Sequence, residues 1–158
     1  MKVREVTKAG IIAAIYVCLT FLGAPFASGA VQVRLAEALC ILPVFTPVAI
    51  PGLFVGCLVA NFLTGAVFWD VIFGSLATLL GAVGTYFLKE TRLAFLPPVI
   101  ANMIIVPFVL SYAYHAEGAI WWFALTVGAG ELISCGVLGN ILLKFIKKNR
   151  FLCEYIEN

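Results

Sequence analysis

Charge is what this chain has least of. Acidic and basic side chains make up 11% of its 158 residues, where a soluble domain carries about 25%. No Asp, Glu, Lys or Arg occurs from Ala38 to Trp69, and none from Leu93 to Ala116. A soluble core helix of about 10 to 15 residues has no need of such gaps, whereas a bilayer segment of about 20 residues does. Catalytic signatures are missing too. There is no G-x-x-x-x-G-K-S/T phosphate loop, no G-x-S-x-G nucleophile turn and no Cys-His pairing, so neither nucleotide hydrolysis nor another catalysed reaction is expected of this chain. Histidine occurs once, and the five cysteines show no C-x-x-C spacing; they read as small packing residues, with no metal or cofactor expected. The formal net charge of +2 lacks the basic stripe that nucleic-acid binding requires.

Hydrophobic residues make up 63%, and the few cations are placed with regularity. Lys2, Arg4 and Lys8 precede the first apolar stretch, Lys89 and Arg92 interrupt the middle, and Lys144, Lys147, Lys148 and Arg150 follow the last stretch. Only Arg34 stands apart. Apolar periodicity and breakers predict helices over about Thr7–Ala24, Leu35–Val48, a return from Pro51 to near Gly65, Asp70–Leu88, Leu93–Tyr112 and Ala119–Ile146. The expected fold class is an all-α integral membrane protein, a single six-helix transmembrane domain over residues 1–158. Six spans put both termini and the Lys89–Arg92 loop on one side, which the positive-inside rule makes cytoplasmic. The second and third helices are short for a bilayer of about 30 Å, so their outer ends and the first loop are expected to form a recessed site.

Several polar residues need a reason to stand in apolar surroundings. Glu131 falls about 18 Å along its predicted helix, near mid-membrane, where an ionised carboxylate requires water, a cation or donors. It reads either as a ligand or ion carboxylate or as a helix-pairing group. Asn102 lies about 15 Å in from the outer end of its helix; its amide suits a heterocycle edge or a helix–helix bond equally. Arg34 and Glu37, three apart, pair with each other or face the entrance. Asn61 and Asp70 belong near the same entrance, Asp70 serving alternatively as a helix N-cap. Trp69 and Trp121 read as interfacial belt residues or as walls for a flat ligand. Ala9 and Ala13, spaced by four, leave a shallow face for a helix of this chain or of a partner.

The string QVRLAEALCILPVFTPVAIPGLFVGCLVANFLTG (Gln32 to Gly65), followed by WDVIFGSLATLLGA (Trp69 to Ala82), resembles the QueT family of queuosine-precursor transporters, substrate-capture subunits of energy-coupling-factor systems. The likeness extends over nearly the whole chain. It implies a six-helix membrane fold with a site reached from outside and a cargo with a 7-deazaguanine ring. It also implies docking on a transmembrane coupling protein that carries two cytoplasmic ATPase subunits, with Ala9 and Ala13 matching the small-residue contact face. On such a cargo Glu131 would take the guanine-like donor edge and Asn102 would complete the pattern, with Glu37 or Asp70 available to a cationic substituent. Two other classes remain open: a self-sufficient secondary carrier using Glu131 as an ion site, and a non-transport membrane assembly protein.

Overall fold

A computed structural model describes residues 2–27 and 32–157. All its regular structure is helical: α1 (Val3–Ala27), a 3-10 helix (Leu35–Val44), α2 (Ala49–Leu63), α3 (Phe68–Phe87), α4 (Leu96–Tyr112), α5 (Ile120–Glu131), a π segment (Leu132–Leu138), α6 (Gly139–Lys148) and α7 (Arg150–Glu157). Three stretches are long and apolar enough to cross a membrane, Val3–Pro25, Phe68–Phe87 and Ile120–Lys148. Leu35–Val44, Ala49–Leu63 and Leu96–Tyr112 are shorter apolar helices.

The distribution of side chains is that of a protein dissolved in lipid. Phe62, Leu80, Ile104, Phe108 and Phe145 point outward, each at least half exposed, while Glu37, Asn102, Glu131, Thr78 and Ser134 are buried. In water so large an apolar surface would drive aggregation; against acyl chains it is the compatible face, and the polar groups find partners inside. The protein is therefore embedded in a membrane.

The Leu35–Val44 helix lies at the centre, packed by α1, α3, α6 and the π segment, and Ala36 to Pro43 are all buried. Its 3-10 pitch is a departure from the α-helix expected there. At about 2.0 Å rise per residue, ten residues extend about 20 Å, where an α-helix would reach about 15 Å. A short segment thereby carries its buried side chains through more of the core.

The α1–α2 contact depends on the absence of side chains. A Cβ on Gly52 would stand 2.8 Å from the Ala9 carbonyl oxygen, and one on Gly56 would stand 3.0 Å from Ala13 Cα. Ala9 and Ala13 thus have a packing partner within this chain: both are half-buried against α2, because two small-residue rows let the backbones approach. The outward small residues of α1 are Gly10 and Ala14. Just beyond α2 stands Gly65, whose φ of +73° favours a residue without a Cβ. The chain then turns back into α3.

The last predicted helix is a continuous rod of three parts. The π segment begins immediately after Glu131, and an i→i+5 stretch rotates the residues beyond it relative to an unbroken α-helix. The short amphipathic α7 was not anticipated. It folds back on α1, where Lys8 Nζ donates to the Ile156 carbonyl at 3.4 Å and sits 5.6 Å from the centre of the Tyr155 ring. The amino- and carboxyl-terminal segments thus meet at one end of the bundle.

Candidate functional site

At the opposite end lies a polar cavity of about 410 Å³, bounded by the end of α1 (Tyr16, Thr20, Gly23), the approach to the 3-10 helix (Arg34, Leu35, Ala36), the α2–α3 turn (Asn61, Thr64, Gly65) and Asp70 and Tyr114. Its size is that of a small-molecule site. Two further hollows are apolar: one between α3 and α4 holds Trp69, Phe73 and Phe108, and one beside α1 and α7 holds Ile11, Leu142 and Ile156. Both resemble lipid-facing grooves more than a site for a polar solute.

Asp70 occupies the third position of α3; Val67 is the N-cap, and no side chain caps the helix. The N-cap alternative is therefore corrected. Near the positive end of the helix dipole a carboxylate is stabilised, and Tyr114 holds it by donating to Oδ2 at 2.8 Å. The Val67 amide donates to the same phenol oxygen at 3.3 Å. Burial, and then the Asp70 charge, push the Tyr114 hydroxyl above its ordinary pKa, so it remains a donor. Asp70 Oδ1 is buried without a hydrogen-bond partner among the described residues. Next to it Asn61 Nδ2 makes only long contacts, 3.4 Å to the Asp70 carbonyl and 3.6 Å to Cys57 Sγ. Both groups pack closely against Gly74, where a Cβ would meet Asp70 Oδ1 at 2.9 Å and Asn61 Nδ2 at 3.1 Å.

Arg34 is held through its backbone, whose amide donates to Ser134 Oγ at 3.1 Å. Its guanidinium feels the charges of Asp70 and Glu131, yet the one ion pair within 4.0 Å among the described residues is Arg150 with Glu154 on the surface. The cation expected to need a special explanation therefore stands at the cavity with two carboxylates in its field. Arg34 and Glu37 do not form the local pair considered from sequence.

Glu37 is instead turned into the core. Its Oε1 accepts from Tyr16 at 2.5 Å and Thr78 at 3.1 Å, and its Oε2 from the Cys40 thiol at 3.0 Å. Three donors fill most of a carboxylate's roughly four acceptor positions. Tyr16 lines the cavity on one side and bonds Glu37 on the other, so this network is the cavity's floor. Glu131 is 2% exposed, and among the described residues its one hydrogen bond is from Cys135 Sγ at 3.3 Å. Carboxylate oxygens of Glu37 and Glu131 and the Cys135 sulfur lie within 4.8 Å of one another, the one set among the described residues compact enough to surround a small cation. Gly130 packs directly against the Gln32 carbonyl, so the segment approaching Arg34 roofs Glu131.

Sequence reasoning had joined Glu131 with Asn102, and the structure separates them from the cavity surface. Asn102 is fully buried; its Nδ2 donates to the Pro98 carbonyl of its own helix at 3.1 Å, and its Oδ1 has no partner among the described residues. Trp69 and Trp121 do not line the cavity either. Trp69 stacks on Phe73 at 5.9 Å, Trp121 meets Trp122 edge-on at 6.1 Å, and both are more than half exposed. Of the residues expected to bind a ligand, Arg34, Asn61 and Asp70 come together, with Glu37 and Glu131 behind them. Tyr16 and Tyr114 line the cavity as well. A phenol flanked by aliphatic residues in α1 needs a buried partner, a signal that was present for Tyr16; Tyr114 looked like any interfacial tyrosine.

Compared with known proteins, residues 6–148 match the family described as QueT transporter. No curated protein and no solved structure matches the chain.

Proposed function

This chain belongs to the QueT transporter family, and we propose that it captures a queuosine precursor or salvage base with a 7-deazaguanine ring from outside the cell. The observation that carries this reading is the polar cavity itself: Arg34, Asn61, Asp70, Tyr16 and Tyr114 surround about 410 Å³ in an otherwise lipid-compatible bundle. A guanine-like ring presents a carbonyl acceptor beside an N–H and amino donor edge. Arg34 donates to the carbonyl. The donor edge falls to Glu131, whose single thiol contact is weak and is exchanged for the ligand's N–H groups when the Gln32–Arg34 segment shifts. Tyr16 and Tyr114 provide the aromatic surfaces. Glu37 holds the floor, and Asn102 of α4 is a reserve acceptor.

In this reading one domain of six spans places both termini in the cytoplasm, as the cation distribution favours, and the cavity then opens outward. Uptake proceeds on a transmembrane coupling protein with two cytoplasmic ATPase subunits. The exposed Gly10 and Ala14 of α1 replace Ala9 and Ala13 as the place where a coupling helix packs most closely. No cofactor is assigned to this chain.

The test is titration calorimetry of the purified chain in nanodiscs with 7-deazaguanine bases, repeated with Arg34→Gln and Glu131→Gln. Binding by the wild-type chain and about tenfold or greater weakening in each variant is expected, since each removes a charge-assisted hydrogen bond. A folded chain that binds none of these bases overturns the reading. Solute uptake into vesicles holding this chain alone would instead establish a self-sufficient carrier.

A further inference from the structure

The apolar hollow beside α1 and α7 ends at a buried cation. It measures about 560 Å³, with Leu39 of the 3-10 helix at its floor, Ile11 and Ile15 of α1 on one side and Leu142 and Phe145 of α6 on the other. α1 and α6 each pack on the 3-10 helix and hardly on each other, so the hollow is the gap between them. Lys8 and Leu19 both stand on its wall, and between those positions an α-helix advances about 16 Å. That is the depth of one leaflet, half of a hydrocarbon core of about 30 Å. Lys8 is 7% exposed. Among the described residues its ammonium makes one hydrogen bond, 3.4 Å to the Ile156 carbonyl, lies 5.6 Å from the centre of the Tyr155 ring, and has no carboxylate within 4.0 Å. An ammonium has three donors, and a buried charge without a counter-charge is costly. Its surroundings add to the excess: residues 1–8 and 144–157 carry seven Lys or Arg against three Glu. Phe145 also borders a second hollow, which Lys148 and Arg150 line.

We infer that this hollow holds an anionic phospholipid, with one acyl chain lying along α1 and the headgroup phosphate accepting from Lys8 Nζ in the field of Lys148. Charge selects the headgroup, because a basic pocket between membrane helices attracts an anionic head and gains nothing from one whose own cation cancels the phosphate. The lining selects lipid over a protein helix. Membrane helices approach closely where small residues face each other, whereas Ile11, Ile15, Leu142 and Phe145 are bulky and leave irregular space that a flexible chain fills. A spanning helix would also want a groove of about 30 Å, twice the length present. Seated there, the lipid closes the gap between α1 and α6 and gives Lys8 its missing counter-charge. The inference is independent of what the polar cavity at the other end binds.

The experiment offers the full chain, purified in mild detergent, an equimolar mixture of phosphatidylglycerol and phosphatidylcholine with identical acyl chains, and reads the retained lipid by native mass spectrometry. One phosphatidylglycerol is expected to stay bound, preferred by about fivefold for each cation its headgroup engages. Lys8→Gln is expected to lower that preference about fivefold. Because Lys8 also touches α7, Lys148→Gln repeats the test at an exposed position away from that contact, with an expected fall of about twofold to fivefold. Ile15 lines the hollow and is 45% exposed, so Ile15→Trp fills the gap without entering the core; it is expected to abolish retention of both lipids while the melting temperature holds. Equal retention of the two lipids by the wild-type chain overturns the inference, as does an unchanged preference in either lysine variant. Undiminished retention in Ile15→Trp overturns it too, and if that variant instead blocks assembly with a partner membrane protein, the hollow belongs to a protein helix.

Discussion

Truncating Glu37 to alanine separates its role as scaffold from a role as ligand contact. The carboxylate is fully buried and receives Tyr16, Thr78 and Cys40. On its removal Thr78 retains the Gly74 carbonyl at 3.2 Å, and a thiol donor is weak, so little is lost at those two. The Tyr16 hydroxyl is left with only the Cys57 thiol, a weak partner, and losing its carboxylate acceptor costs about 1–3 kcal/mol. The vacated side-chain volume adds about 2–3 kcal/mol, by analogy with large-to-small core changes. Against these stands the relieved desolvation of a buried charge, which leaves about 2–5 kcal/mol of net destabilisation. In a chain of this size that lowers the melting temperature by roughly 4–20 °C. Glu37→Gln is the control. Its carbonyl oxygen still serves Tyr16 and Thr78, its amide faces the Cys40 sulfur, and the expected change is about 1 kcal/mol, or roughly 2–4 °C. The assay is tryptophan-monitored thermal unfolding in nanodiscs without ligand, with Tyr16→Phe added to close a double-mutant cycle. A coupling energy of about 1.5–3 kcal/mol between Glu37 and Tyr16 is expected for a hydrogen bond to a carboxylate. The reasoning is refuted if Glu37→Ala melts within 2 °C of wild type, a margin roughly half the smallest shift worked out here. It is equally refuted if Glu37→Gln leaves stability unchanged and abolishes binding, for the carboxylate would then belong to the ligand.

Four further outcomes follow from the packing. Gly56→Leu drives a side chain into Tyr16 Cβ and Ala13, 2.8 and 3.0 Å from its Cβ position, and should lower thermal stability by several degrees. Gly10→Leu meets nothing within 4 Å; it should leave melting unchanged or raised and reduce only uptake in vesicles that also hold the coupling module. Tyr114 should titrate above the usual value of about 10 in ultraviolet difference spectra and move back toward it in Asp70→Asn, because Asp70 is the second cause of its shift after burial. As an acid with a raised folded-state pKa, it contributes stability below the unfolded value and loses it as pH rises through the folded one. Lys8→Met removes the bond to Ile156 and the charge beside Tyr155, and should speed hydrogen exchange in α7 by about two- to fivefold, as befits the loss of about 0.5–1 kcal/mol.

The helix boundaries were largely legible because they follow local rules. Proline, glycine and the charge gaps placed α3 and α4 within a few residues of Phe68–Phe87 and Leu96–Tyr112. The 3-10 pitch of Leu35–Val44, the π segment after Glu131 and the small α7 were not legible. Each is a departure from α geometry, or a docking event, that only neighbouring elements stabilise. Site residues divided in the same manner. Arg34, Asn61 and Asp70 line one cavity, as their place near a common entrance suggested, because each is polar beside a turn, where little rotational uncertainty accumulates. Asn102 and the two tryptophans were misplaced because their helices' rotation decides what they face, and nearly uniform apolar sequence gives no amphipathic stripe from which to read it.

Composition alone determined which solvent this protein lives in, since transferring charge into hydrocarbon is so unfavourable that its absence over long stretches has one economical cause. It also identified the polar residues that must be accounted for. Tertiary structure decided what accounts for them: Glu37 meets Thr78 forty-one positions away, Ala9 and Ala13 meet Gly52 and Gly56, and among the described residues Asp70 Oδ1 is buried without a partner. Those outcomes depend on helix rotation and close approach between distant segments, and neither is encoded in the local pattern of any one of them.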